Sequence, residues 1–406
     1  MPGLSPAFVA LRVIELADDP GGEFAGKLLA DLGADVVKIE PPGGVPGRSI
    51  GPFADGRDGE PDAGLHFWTY NTSKRSLVLD DTSLDGRQLR DELIATADVL
   101  IMSWTPRQLA QHGLDFDSLQ AEVPGLVILS VTPFGLTGPW AEYGSSDLTA
   151  LAAGGLLNLC GYDDHSIPPI RPGGNQGYMV AASFAHCGVL LALIERRRSG
   201  LGQLVDVSMH EAIAVSGELA NPYWFYPKAL VQRQTARHAQ PVSTQPACFK
   251  CGDDVWVYFA LMLSDTKAWA ATVAWMDELD LAADLVEEKY SDLAYRQQEF
   301  AHIQGLIEVF FLMQDAQTAY HEGQRRGLPI GPLLALEDLP DDEHLVARDY
   351  FVPIYLPTDE QRSAKFPGSP YRFSSFTSGP ARPPRLGEHT DAVIEDLVSR
   401  KAVQDA

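Results

Sequence analysis

Residues 11–40 limit the fold of this chain more than any other stretch. Arg12-Val-Ile-Glu-Leu16 is short and rich in strand formers. Phe24 to Leu32 sets Phe24, Leu28, Leu29 and Leu32 on one helical face, Gly33 stops the helix, and Val36-Val-Lys-Ile39 starts a second strand. A βαβ unit this compact implies parallel strands joined by a right-handed crossover. Further strands are expected at Ser76–Leu79, Val99–Met102 and Leu126–Val131. An amphipathic helix is expected over Leu84–Ala97, with Leu89, Leu93 and Ile94 at core spacing. The alternation predicts a doubly wound α/β sheet, and ligands in such sheets sit beyond the carboxyl ends of the strands. The loops after Glu40, Met102 and Val131 are therefore the places to look.

At 406 residues the chain exceeds one ordinary core, so two domains are expected. The character changes at Asn221, where Tyr223-Trp-Phe-Tyr226 leads into a polar, basic stretch and then a hairpin over Ala247–Leu261. This predicts a large domain over residues 1–220 and 330–406, built from both chain ends, and a smaller inserted α+β domain over 221–329. A net charge of −24 disfavours nucleic acid or an anionic membrane surface as partner, and an anionic small molecule would need a local basic pocket. Met1-Pro-Gly-Leu-Ser5 lacks the basic start and apolar core of a secretory leader. The apolar run Met179–Ile194 is read as a buried helix, so a cytoplasmic protein is expected. Cys248-Phe-Lys-Cys251 is a lone CxxC with no second ligand pair, and no metal site is expected.

Few short motifs carry chemistry. There is no GxGxxG and no GxxxxGK[ST], so dinucleotide and nucleoside-triphosphate binding have little support. Thr132-Pro-Phe-Gly-Leu-Thr-Gly-Pro139 follows a strand and reads either as a plain turn or as a backbone cradle for an anion. Asp163-Asp164-His165 offers acid–base groups if a pocket encloses them, although loop residues of this kind are usually solvated. Trp104 either stacks on an adenine or caps the core, and Arg107 is placed to meet a phosphate.

Several segments together are similar to the family III CoA-transferases (the CaiB/BaiF family). They are Leu11–Glu40, Asn71-Thr-Ser-Lys-Arg-Ser76 with Leu79-Asp80, Ala97-Asp-Val99, Phe134–Pro139 with Asp147, Gly200–Met209, Gly327–Pro332 and Leu386-Gly-Glu-His-Thr390. The resemblance implies a Rossmann-like large domain, a smaller inserted domain and two interlocked chains. It also implies transfer of CoA from an acyl-CoA to a free carboxylic acid, with no tightly bound cofactor and with coenzyme A thioesters as substrates. In that family an aspartate attacks the thioester to give a mixed anhydride and free CoA thiolate. The thiolate returns to make an enzyme thioester and release the first acid, and the acceptor acid then attacks and leaves with CoA. Leu79, Ser103 and Trp104 stand at matched positions and, with Arg107 beside them, are the candidate CoA contacts.

The match breaks at the nucleophile. Counting back from Gln203 by the family's spacing reaches Tyr178, and no Asp or Glu occurs from Ser166 to Ile194. A phenol with a pKa of about 10 does not reproduce anhydride exchange. Other matched positions also depart: Pro20, Pro41, Ser103-Trp104, Gln111 and Ser146 replace residues common in the relatives. The pattern implies a subunit without its own nucleophile, as in two-subunit members such as the benzylsuccinate CoA-transferases. Its partner would be an aspartate-bearing subunit, or the chain itself as a homodimer. The alternatives are an acyl-CoA isomerase or dehydratase using Asp163, Asp164 or His165, and a binding protein for acyl-CoA.

Overall fold

The computed structural model describes residues 5–217, 220–261 and 263–404. Met1–Leu4, read above for a leader, and residues 218–219 beside the expected boundary lie outside them. The chain divides into two compact units. One comprises Met1–Leu157, Pro172–Gly217 and Glu343–Ala406, and the other Asn158–Arg171 and Glu218–Asp342.

The large unit holds six strands: β1 (Arg12–Glu15), β2 (Asp35–Glu40), β3 (Arg75–Val78), β4 (Val99–Met102), β5 (Val127–Thr132) and β6 (Leu204–Ser208). All pair in parallel in the order β3-β2-β1-β4-β5-β6. The chain winds outward from β1 to β3, then crosses back to β4 beside β1, which makes the β1/β4 edge the switch point. Its helices are α1 (Pro20–Ala30), α2 (Leu65–Tyr70), α3 (Leu84–Ile94), α4 (Pro106–His112), α5 (Phe116–Glu122), α6 (Asp147–Ala153), α7 (Gln176–Ser199) and α8 (Met209–Val215). One core lies on the α1/α7 face around Val13, Val131 and Val189, and the other on the α3/α4 face around Ile14, Leu100 and Met102. The C-terminal helix Thr390–Gln404 joins the second core through Val393 and Leu397.

Helix α1 begins four residues earlier than its apolar spacing predicts. Pro20 occupies its first turn, where a missing N–H costs nothing, and the Asp19 side chain accepts the Gly22 N–H. Helix α7 is the one described helix long and apolar enough to cross a membrane, and it packs on α1, α8, β5 and β6. It is less buried than expected, because Phe184, Leu191 and Ile194 face outward.

A buried ion network ties the first three strands to α1. Glu15, at the end of β1, pairs with Lys38 of β2 at 2.9 Å and Lys74 at 2.8 Å. Glu23 of α1 pairs with Lys38 at 3.0 Å. A Cβ on Gly26 would lie 1.8 Å from Glu15 Oε2, so α1 crosses at a distance only glycine permits. Beside this, Glu40 takes a two-pronged bond from buried Arg48 at 2.6 and 2.8 Å, and that guanidinium sits 3.6 Å over the Phe67 ring. Burial alone would lower the Lys38 pKa, but Glu23 and Glu15 hold its proton and the net shift is upward.

The small unit is α+β. Strands Cys248–Lys250, Trp256–Phe259 and Ile330–Pro332 form an antiparallel sheet, covered by helices including Thr266–Glu278 and Phe300–Leu312. Its core gathers Phe249, Phe259, Trp275, Phe310 and Phe311. Its limits differ from the expected 221–329. Ile330–Pro332 belongs to its sheet because it pairs with Trp256–Phe259, and residues 158–171 join it as well.

Removing one charge from the network strands its partners in a dry site. Lys38→Met is expected to lower unfolding free energy by about 3–5 kcal/mol, the usual cost of breaking a buried pair, measured by urea denaturation. A loss under about 1 kcal/mol, the range of an exposed pair, would mean that water reaches Glu15 and Glu23.

Candidate functional site

The crevice beyond β1 and β4 is closed at its base by a reciprocal contact. The Asp18 N–H donates to Ser103 Oγ at 3.0 Å, and Ser103 Oγ donates to Asp18 Oδ1 at 2.9 Å. The Lys38 ammonium donates to the Ala17 carbonyl at 2.7 Å, so the ion network also holds this loop. Asp19 comes next, with Oδ1 accepting the Gly22 N–H at 2.9 Å.

Tyr178, on the first turn of α7, packs across this loop. A Cβ on Gly21 would lie 3.2 Å from its Cδ1 and 3.5 Å from Asp19 Oδ1, so the ring and the carboxylate flank the same glycine. Asp147, at the start of α6, accepts the Gly177 N–H at 2.8 Å, and Asn175 at the head of α7 donates to the Tyr70 hydroxyl at 2.9 Å. The amino ends of α1 and α7 therefore each already hold an aspartate of this chain, where a helix dipole favours negative charge. Burial pushes the Tyr178 hydroxyl up, and Asp19 and Asp147 add to the shift by repelling a phenolate. At neutral pH this group is a neutral phenol. Burial likewise raises Asp19, to about 7, against the opposing pull of its bond from Gly22.

The other residues singled out in the sequence are spread widely. Leu79 is buried in the α3/α4 core, and Trp104 lies in the same core with its ring stacked on His112, centroids 4.1 Å apart. His112 in turn bonds Asp81, which also takes Arg90 at 2.7 Å. One face of the indole is thus covered by the chain itself. Ser103 reaches the crevice. Arg107 is 72% exposed, with its backbone N–H on Glu142 at 2.9 Å. Asp163, Asp164 and His165 belong to the small unit and are exposed. Asp163 pairs with Arg237, Asp164 accepts from Ser166 at 2.9 and 2.6 Å, and the His165 ring meets the Arg233 carbonyl at 3.0 Å. The Ser166 bonds hold the Asp164 carboxyl below its usual range.

Sequence reasoning passed over Asp18, Asp19 and the contact of Asp147 with α7. The α7 stretch carries no carboxylate near Tyr178, whereas the fold delivers these from two other loops. One signal was present: an aspartate directly before a proline at a helix start is a capping signature.

The family model for CoA-transferase family III matches residues 10–390. The chain belongs to CoA-transferase family III. It is 33% identical over 397 residues to succinyl-CoA:(R)-benzylsuccinate CoA-transferase subunit BbsE of Thauera aromatica, covering 95% of this chain and 93% of that protein. It is 30% identical to the succinyl-CoA–L-malate CoA-transferase beta subunit of Chloroflexus aurantiacus, covering 96% and 93%. Among solved structures, a CaiB/BaiF family protein from Brucella suis matches with a TM-score of 0.83 and 27% identity over 97% of this chain and 100% of that one. The six-stranded α/β unit is thus the fold of this family, and the chain is a CoA-transferase. Membership makes coenzyme A thioesters the substrate class.

The raised Asp19 has a consequence for stability. Asp19 holds its proton more tightly in the folded chain than unfolded, so its contribution is whole below the ordinary value of 3.8 and is lost as pH rises through 7. Asp19→Asn keeps an oxygen for the Gly22 cap but cannot ionise. Its gain in melting temperature is expected to be smallest near pH 4 and to level off above pH 7. A gain that does not change with pH would show that Asp19 is well solvated.

Proposed function

We propose that this chain is the non-catalytic subunit of a two-chain family III CoA-transferase, which moves CoA from an acyl-CoA to a free carboxylic acid. The observation that carries the reading is Tyr178. At the position where the family resemblance puts the acyl-carrying aspartate, this chain has a half-buried phenol whose ionisation is opposed by Asp19 and Asp147. Carboxylate attack on a thioester needs an ionised, unencumbered oxygen. Asp19 is half protonated near neutrality and its Oδ1 is occupied by the Gly22 amide.

Two further observations support a partner. On α7, Phe184, Leu191 and Ile194 are 47%, 67% and 65% exposed along one helical face, an apolar stripe that a second chain would cover. Relatives named as subunits include BbsE and the malate transferase beta subunit. By analogy with those names, the partner is a second subunit of the same family, bearing the aspartate that the family resemblance implies, and the CoA donor is a small acyl-CoA such as succinyl-CoA.

A second reading has one observation in its favour. A carboxylate with a pKa of about 7 beside Tyr178 suits proton transfer, so Asp19 would serve an isomerase or dehydratase acting on acyl-CoA. This replaces Asp163, Asp164 and His165 in that role, because those three are solvated or paired.

The purified chain is expected to show no CoA transfer alone, and to support transfer when mixed with an aspartate-bearing relative. Hydroxylamine added during turnover should displace CoA from the enzyme thioester and leave a hydroxamate on a carboxylate of the partner only. Transfer by this chain alone, lost in Asp19→Asn, would overturn the reading. The stripe has its own test: Leu191→Asp should abolish co-purification while leaving the circular dichroism of the chain unchanged.

A further inference from the structure

The crevice in the large unit is not the only concave feature. A cavity of about 760 Å³ lies wholly within the small unit, in the size range of small-molecule sites. Its lining is unlike the rest of this protein. The chain has 55 acidic residues against 31 basic ones, yet among the described residues that line the cavity none is Asp or Glu. Arg237 and His238 contribute to the wall, with amide donors from Gln245 and Gln297. The apolar side includes Phe259 and Leu263, both members of the small unit's core.

Arg237 is fixed in place. Its guanidinium donates to the Thr244 and Thr235 carbonyls and to Asp163, which does not line the cavity. The side chain is 7% exposed and ion-paired with Asp163, and of the five N–H groups of an arginine these three bonds use three. The protein's overall field repels anions, so a cavity free of carboxylates and furnished with a guanidinium and amides is a local exception. An apolar wall beside such donors suits a ligand with a hydrocarbon body and an acid head.

We propose that this cavity binds the free carboxylic acid, so that the small unit of this chain contributes acid recognition to the transferase. The inference rests on the reading of the chain as a transferase subunit. It assigns Gln245 and Gln297 as specificity-determining positions.

The test uses the full chain, with 3-phenylpropanoate as probe and 3-phenylpropanamide as its uncharged control, followed by titration calorimetry. The acid is expected to bind at least tenfold more tightly than the amide. Gln297→Glu, at an exposed position, should weaken the acid at least tenfold, leave the amide unchanged and leave the melting temperature in place. Gln245→Glu should repeat the pattern. In the mixed assembly both variants should raise KM for the acid and not for the acyl-CoA. Equal binding of acid and amide, absence of binding, or indifference to both substitutions would overturn the inference while transfer by the mixed assembly still upheld the subunit reading. Selective acid binding without transfer in any mixture would uphold the cavity and overturn the subunit reading.

Discussion

The structure depends on four charges buried together beneath the crevice: Glu15, Glu23, Lys38 and Lys74, each no more than 2% exposed. Two acids and two bases in one dry place cancel, which offsets part of a desolvation penalty that neither sign would survive alone. Each charge comes from a different element or loop, so satisfying them sets β1, β2, α1 and the start of β3 relative to one another. Lys38 then donates to Ala17, which carries that geometry into the loop that bears Asp18 and Asp19. The shape of the crevice is thus inherited from electrostatics one layer below it.

Above that layer, the same physics sets the protonation of the groups beside the crevice. Helix amino ends favour anions, but α1 and α7 spend that preference on Asp19 and Asp147. Burial then raises the pKa of both Asp19 and Tyr178, leaving one group half protonated and the other neutral. A family member built this way keeps the scaffold of a CoA-transferase while the groups around its crevice hold protons and hydrogen bonds. The stripe of Phe184, Leu191 and Ile194 on α7 faces outward from this scaffold.

Most of the sheet was legible in the sequence, because buried parallel strands are short β-branched runs with little else to become. Val99–Met102 lies where its pattern predicts, and β2 and β5 extend only a residue or so beyond theirs. The start of helix α1 is not legible by periodicity, because Pro20, Gly21 and Gly22 carry no periodic signal, although Asp19-Pro20 does carry a capping one. The limits of the small unit were misplaced for a different reason: Ile330–Pro332 reads as a punctuating turn until its pairing with Trp256–Phe259 is seen.

The sequence by itself determined the α/β class, the parallel winding, the family and the missing carboxylate along α7, since each of these is written in local periodicity or residue identity. Only the tertiary structure decided what surrounds Tyr178, where the indole of Trp104 goes, and that Asp163 pairs with Arg237 in the small unit. Those outcomes rest on desolvation and on contacts between residues far apart in the chain. Such terms depend on distance in space, which no spacing along the polypeptide encodes.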